Sequence, residues 1–130
     1  MRPYFQTVIV FAASIVSLSL GNVLMKLGMD RFGALTGAGV PVVSALARSP
    51  QLPVGVVLMT VQFVGMLTLF KWGWDASLVI PIFGLNYVGT ALLGRWLLGE
   101  PVNGMRWLGI SLVMLGVFFI ARSVAPAKSP

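Results

Sequence analysis

The sequence predicts an all-α membrane protein of four transmembrane helices, and three observations carry that expectation. Of its 130 residues, 58% are hydrophobic and only 9% charged, a composition too apolar for a water-soluble domain to bury. Uncharged stretches run from Pro3 to Met25, Ser49 to Phe70, Ala76 to Gly94 and Trp107 to Ala121, and a spanning helix needs about 20 mostly apolar residues. None of these runs alternates apolar with polar residues, as barrel strands do.

The first span is expected over residues 4–28. Arg2 ahead of an apolar run is also how a signal peptide begins, but a signal's apolar region covers only about 7–15 residues and leads to a small-residue cleavage site. Here the run is longer and ends in Met25 and Lys26. Residues 30–51 form the one long connection and are placed on the membrane surface, where Pro41, Val42, Val43, Leu46 and Arg48 suit a short interfacial helix with Pro41 in its first turn. Spans two and three are expected at 52–71 and 76–98, joined by WGWD, and GEPVNG leads into a fourth at 104–123. The apolar run of the fourth is short, and Arg106 and Arg122 complete it by extending their stems to the two interfaces. Residues 125–130 are a short polar tail, expected to be disordered, so residues 1–130 form a single integral membrane domain.

Charge excludes some functions and leaves orientation open. The net charge of +6 is spread over helix ends, which suits lipid headgroups and not nucleic acid. With four spans, Arg2, Lys71, Arg122 and Lys128 share one side, and Lys26, Arg31, Arg48, Arg95 and Arg106 the other. So even a distribution gives almost no positive-inside bias. Insertion in both orientations as an antiparallel pair and a single fixed topology both stay open. The chain has no cysteine and no histidine, which argues against disulfides, thiolate metal sites and the commonest proton shuttle. No cofactor or metal is expected, and with no acid, histidine or thiol inside the spans there is no base or nucleophile for bond-breaking catalysis.

Polar residues within the spans are the functional candidates. Asn22, Gln62 and Asn86 place one amide in each of the first three spans, where an amide facing lipid would leave its donors and acceptor unsatisfied. They either bond between helices or line a polar cavity that receives a substrate headgroup. Ser19, Asn22 and Lys26 are spaced i, i+3, i+7 and so share one helix face leading from mid-membrane to the interface. Lys26 is either an interface anchor or a cation for an anionic headgroup, and Arg95 and Lys71 are candidates for the same task at other helix ends. Glu100, in a loop, reads as a helix-cap or salt-bridge residue. Pro81, with Gly84 three residues on, predicts a kink in the third span. Gly109 and Gly116, seven residues apart on the fourth, are the expected dimer face.

The stretch ASLVIPIFGLNYVGTALLGRWLLGEPVNGMRWLGISLVMLGVFFIA resembles the carboxy-terminal, EamA-like half-repeat of the drug/metabolite transporter superfamily: a proline in the third span, an LLGE-type loop, WLG, then a glycine-rich last helix. Four-span members are the small multidrug resistance proteins and the small flippase subunits that handle undecaprenyl-phosphate-linked aminoarabinose. The former resemble this chain in length, in the Gly21 to Lys26 ending of helix one and in the paired glycines of the last helix. They couple to protons through a glutamate eight residues before that lysine, where this chain has Leu18. The flippase subunits are similar to it at more positions. Their G-Q-x-x-x-K corresponds to Gly21, Asn22 and Lys26, their P-x-x-x-L-N-F to Pro81, Leu85, Asn86 and Tyr87, and their H-E-P-V-S and W-x-G to Gly99, Glu100, Pro101, Val102, Asn103, Trp107 and Gly109. Gly99 is the one non-conservative departure.

That resemblance implies a small multidrug resistance-like bundle working as a dimer, with itself or with a paralogous subunit, in a bacterial inner membrane. It implies a carrier for a polyprenyl-phosphate lipid, possibly glycosylated, with Asn22, Gln62 and Asn86 on the headgroup, Lys26 on the phosphate, and Ser19 and Arg95 along the same path. A cation exporter of the small multidrug resistance type and a non-transporting partner of a lipid-modifying enzyme are the alternatives.

Overall fold

A computed structural model describes residues 4–123, and within them the chain is helical throughout: α1 (Tyr4–Gly37), α2 (Val42–Ala47), α3 (Gln51–Lys71), α4 (Ala76–Phe83), α5 (Asn86–Leu97) and α6 (Gly104–Arg122). The expected polar tail at 125–130, with Lys128, and Arg2 lie outside the described residues. Four stretches are long and apolar enough to cross a membrane: α1, α3, α4 with α5 over Ala76–Leu97, and α6.

α1 does not stop at residue 28 but runs through the first part of the stretch expected to be a surface connection. Its 34 residues extend about 50 Å at 1.5 Å per residue, well beyond a hydrocarbon core of about 30 Å. Met29, Ala34 and Leu35 favour helix, and the Thr36 hydroxyl donates back to the carbonyls of Phe32 and Gly33. The helix ends only where Gly39 takes a φ of +85°. Gly39 N–H then reaches the Thr36 carbonyl and Val40 N–H the Leu35 carbonyl, both at 3.0 Å, a Schellman closure that a residue with a Cβ would strain. Gly73, at φ +86°, closes α3 in the same way. Pro41 is the N-cap of α2, one position earlier than its expected place in the first turn.

α1 is the central element, packing along α3 and, on another side, against α5, while α6 rests on α4. The α1–α3 seam follows small residues every seven positions: Thr7, Ser14, Gly21 and Gly28 are all buried. A Cβ on Gly21 would lie 3.2 Å from the Gly55 carbonyl oxygen, and one on Gly28 would lie 2.7 Å from Leu52 Cγ. Gly65 lies so close to Ser14 that a Cβ would overlap its hydroxyl. Such close backbone approach is what holds helices together when lipid removes the hydrophobic drive.

The burial pattern is inverted relative to a soluble bundle. Thr7, Ser14, Ser19, Ser49 and Asn86 are buried, while Phe5, Val8, Val57, Phe63, Leu112 and Phe119 are exposed. In water such a surface would be an aggregation liability; against acyl chains it is matched to its solvent. The apolar cluster that does form, Leu69, Val79 and Phe83 with Phe11 and Trp74 around it, pins the N-terminal half of α1 to the α3–α4 turn. The Phe11 ring centroid is 5.8 Å from that of Phe83 and 6.4 Å from that of Trp74.

The third span departs from a single helix at Gly84–Leu85, three residues beyond Pro81. Both residues keep right-handed helical angles. The ladder there tightens, with Gly84 N–H on the Pro81 carbonyl at 2.9 Å, Leu85 on Ile82 at 3.0 Å and Tyr87 on Gly84 at 3.0 Å. These are i to i+3 bonds, the tight form of helix used for short stretches. The disturbance therefore lies on the C-terminal side of the proline, whose missing N–H alone would have opened the turn before it.

Candidate functional site

Asn86 opens α5 directly after this tightened junction, and its side chain serves both helices. Asn86 Nδ2 donates to the Phe83 carbonyl at the end of α4 (2.9 Å), and Asn86 Oδ1 accepts from Asn22 Nδ2 of α1 (3.2 Å). Asn22 Nδ2 also reaches Thr90 Oγ1, one turn further along α5 (3.4 Å), and Ser19 Oγ donates to the Asn86 carbonyl (3.2 Å). Gly89 permits this approach, since a Cβ there would sit 3.0 Å from Ser19 Cβ and collide with its hydroxyl.

The face Ser19–Asn22–Lys26 thus stands against Asn86 and Thr90. Asn22, half-buried, keeps its Oδ1 without a donor among the described residues, so one acceptor of the network is uncommitted. One turn on, Lys26 Nζ lies 2.9 Å from Asp30 Oδ1, with the two side chains 53% and 57% exposed. The Glu100 carboxylate, in the α5–α6 connection, acts on the same ammonium through space. Lys26 is therefore not a lone cation. Its pair is weak, since water screens both exposed groups and lysine ahead of the acid is the less favourable order on a helix.

The other sequence candidates do not join this hydrogen-bond network. Gln62 is half-buried on the face of α3 that carries Gly55, seven residues earlier, and makes no hydrogen bond to another described residue. Arg95 is exposed near the end of α5, likewise without a bonded partner among the described residues. Gly109 and Gly116 are exposed, with open space where a Cβ would stand. Pro81 lies within the last turn of α4 and Gly84 is its C-cap. Glu100 does not cap α6: Asn103 does, accepting from Arg106 N–H at 3.0 Å. Sequence reasoning missed Thr90 and Asp30, although each stands four residues from a named candidate, the spacing at which helical side chains meet.

The arrangement offers neutral donors and acceptors within the spans and a cation at their end, with no ionisable acid among Ser19, Asn22, Asn86 and Thr90. Four apolar helical stretches enclosing buried amides and hydroxyls make this a multi-pass membrane protein. Residues 48–122 match the EamA-like transporter family, and the chain belongs to that family.

Among curated relatives, a "probable 4-amino-4-deoxy-L-arabinose-phosphoundecaprenol flippase subunit ArnE" of Pseudomonas savastanoi pv. phaseolicola is 44% identical over 48 residues, 37% of this chain and 42% of that protein. This chain therefore spans about two fifths of that relative's length in the match. The "uncharacterized protein y4nH" of Sinorhizobium fredii is 30% identical over 119 residues, covering 88% of this chain and 93% of the relative. A protein of Pseudomonas aeruginosa carrying the flippase-subunit name is 25% identical over 111 residues, 85% of this chain and 93% of its own. No solved structure gives a significant match.

Proposed function

We propose that this chain is a subunit of a carrier that moves an anionic polyprenyl-phosphate lipid, bare or glycosylated, between the leaflets of a bacterial inner membrane. The observation that carries the reading is the acid-free polar seam of Ser19, Asn22, Asn86 and Thr90 leading to Lys26. A lipid's tail stays in hydrocarbon while its head passes, so such a carrier has to shelter hydroxyls and one phosphate. Asn22 Oδ1 suits a headgroup hydroxyl, and Lys26 suits the phosphate once its exposed pair with Asp30 opens. Gln62 and Arg95 enter this reading only as further contacts on the path, since neither is hydrogen-bonded to the seam. An exporter of cations needs an intramembrane acid to exchange for its substrate, and position 18 is leucine.

Native mass spectrometry of the purified protein with undecaprenyl phosphate tests the assignment. Lys26→Ala should weaken retention of that lipid about tenfold, because it removes the charge-assisted contact to the phosphate. Unchanged retention in Lys26→Ala and Asn22→Ala would favour the non-transporting partner, and an aromatic cation bound with proton release would restore the exporter.

A bundle of this size leaves little room for a complete path, so we place a second subunit, either a copy or a paralogue, on α6. Support comes from the open space over Gly109 and Gly116 and from the exposed Leu108, Leu112, Leu115 and Phe119 on the same helix. Gly116→Cys should crosslink into a dimer in native membranes; a monomer under oxidising conditions would remove α6 as the contact.

A further inference from the structure

We propose that the concave apolar face between α2 and the first turns of α3 docks one acyl chain of an anionic membrane phospholipid, with the lipid phosphate on Arg48. This site is separate from the polar seam of α1 and α5 and does not rest on the carrier reading.

The groove is shallow and open on one side, offers about 410 Å³ and is lined by Val43, Leu46, Ala47, Leu52, Pro53 and Val56. Its shape follows from the sequence. The bend Arg48–Pro50 turns the chain from the six-residue α2, which packs on α1, into α3, and Ser49 Oγ locks that bend by donating to the Ala45 carbonyl at 2.9 Å. Ala45 faces inward and is fully buried, which turns Val43, Leu46 and Ala47, at i, i+3 and i+4, to the opposite side. Val43 is left 80% exposed above a lining that contains no polar side chain.

Charge and position select the occupant. Arg48 follows the lining residue Ala47 directly, is exposed, and has no ion pair or side-chain hydrogen bond to any described residue. The chain holds only three acids, Asp30, Asp75 and Glu100, none of them between the end of α1 and the start of α3. α3 begins at Gln51, so a spanning α3 sets Arg48 at headgroup level and the groove just beneath it, the depth order of phosphate and acyl chain in a phospholipid. A guanidinium there binds phosphate through paired donors.

The test is native mass spectrometry of the purified full chain with phosphatidylglycerol or phosphatidylcholine of identical acyl chains. The wild type should retain one phosphatidylglycerol several-fold more strongly than phosphatidylcholine. Arg48→Gln should abolish that preference while leaving undecaprenyl phosphate retention unchanged, which separates this site from the seam. Leu46→Trp, filling the groove, should lose both phospholipids. Val43→Trp serves where Leu46→Trp fails to fold, because Val43, exposed at the edge of the lining, can take a larger ring laid across the groove without repacking the interior. Equal retention of the two lipids by the wild type, a preference that survives Arg48→Gln, or retention undisturbed by a folded tryptophan variant would overturn the proposal. So would a Val43→Cys disulfide dimer that phosphatidylglycerol does not compete away, which would give the groove to a second copy of the chain.

Discussion

Gly28→Ala should lower the stability of the bundle by about 1–3 kcal/mol, whereas Gly33→Ala, five residues further along the same helix, should raise it by about 0.5–1 kcal/mol. The substitution is identical and only the surroundings differ. A Cβ at Gly28 stands 2.7 Å from Leu52 Cγ and Cδ2 and 3.0 Å from the Leu52 backbone nitrogen. Leucine can turn its side chain, but the backbone at the start of α3 cannot yield without moving α3 off α1. At Gly33 nothing lies within 4 Å, so alanine acts there mainly by restricting the unfolded chain. Thermal unfolding in a mild detergent, followed by helical circular dichroism, reads both signs. Shifts in the same direction would show that α1 and α3 are not held by close contact at Gly28.

That seam is legible in the sequence. Thr7, Ser14, Gly21 and Gly28 repeat at seven residues as plainly as Gly109 and Gly116 do, and theirs is the buried face, while α6 turns its glycines outward. A small residue shows where a close approach is allowed but not which helix makes it. The spans themselves were readable because hydrophobic length is a one-dimensional property, and the stripe Ser19–Asn22–Lys26 because it lies on one helix. The pairing of Asn22 with Asn86 across 64 residues depends on which helices are neighbours, and local spacing carries no such information. The length of α1 was hidden for a related reason. Gly33 and Gly37 look like breakers, yet the helix tolerates both and ends only where Gly39 must adopt a left-handed angle.

The inverted burial connects that seam to the polar one. Because lipid rewards no apolar burial, the helices meet through small and hydrogen-bonding residues, so the residues that hold α1 to α5 are the same ones a headgroup would contact. On the proposed reading, structural and binding roles fall together on Asn22 and Asn86, and a loss of lipid binding in a single variant would not separate them. A comparison of the two amides does.

Asn86→Ala should cost more stability than Asn22→Ala, about 1–3 kcal/mol against about 0.6 kcal/mol, the average for an interhelical bond in a membrane. Removing Asn22 deletes only bonds between helices and leaves Asn86 Nδ2 on the Phe83 carbonyl. Removing Asn86 deletes that bond as well, at the junction where the ladder has already tightened to i to i+3, and it strands a carbonyl in a site only 9% exposed. The double variant should fall short of additivity by the energy of the shared Asn22–Asn86 bond, at most about 1.7 kcal/mol. If Asn22→Ala is instead as damaging as Asn86→Ala, the amide is not what fastens α4 to α5. The junction at Gly84–Leu85 then depends on its backbone, and the shared Asn22–Asn86 bond carries the loss in both variants.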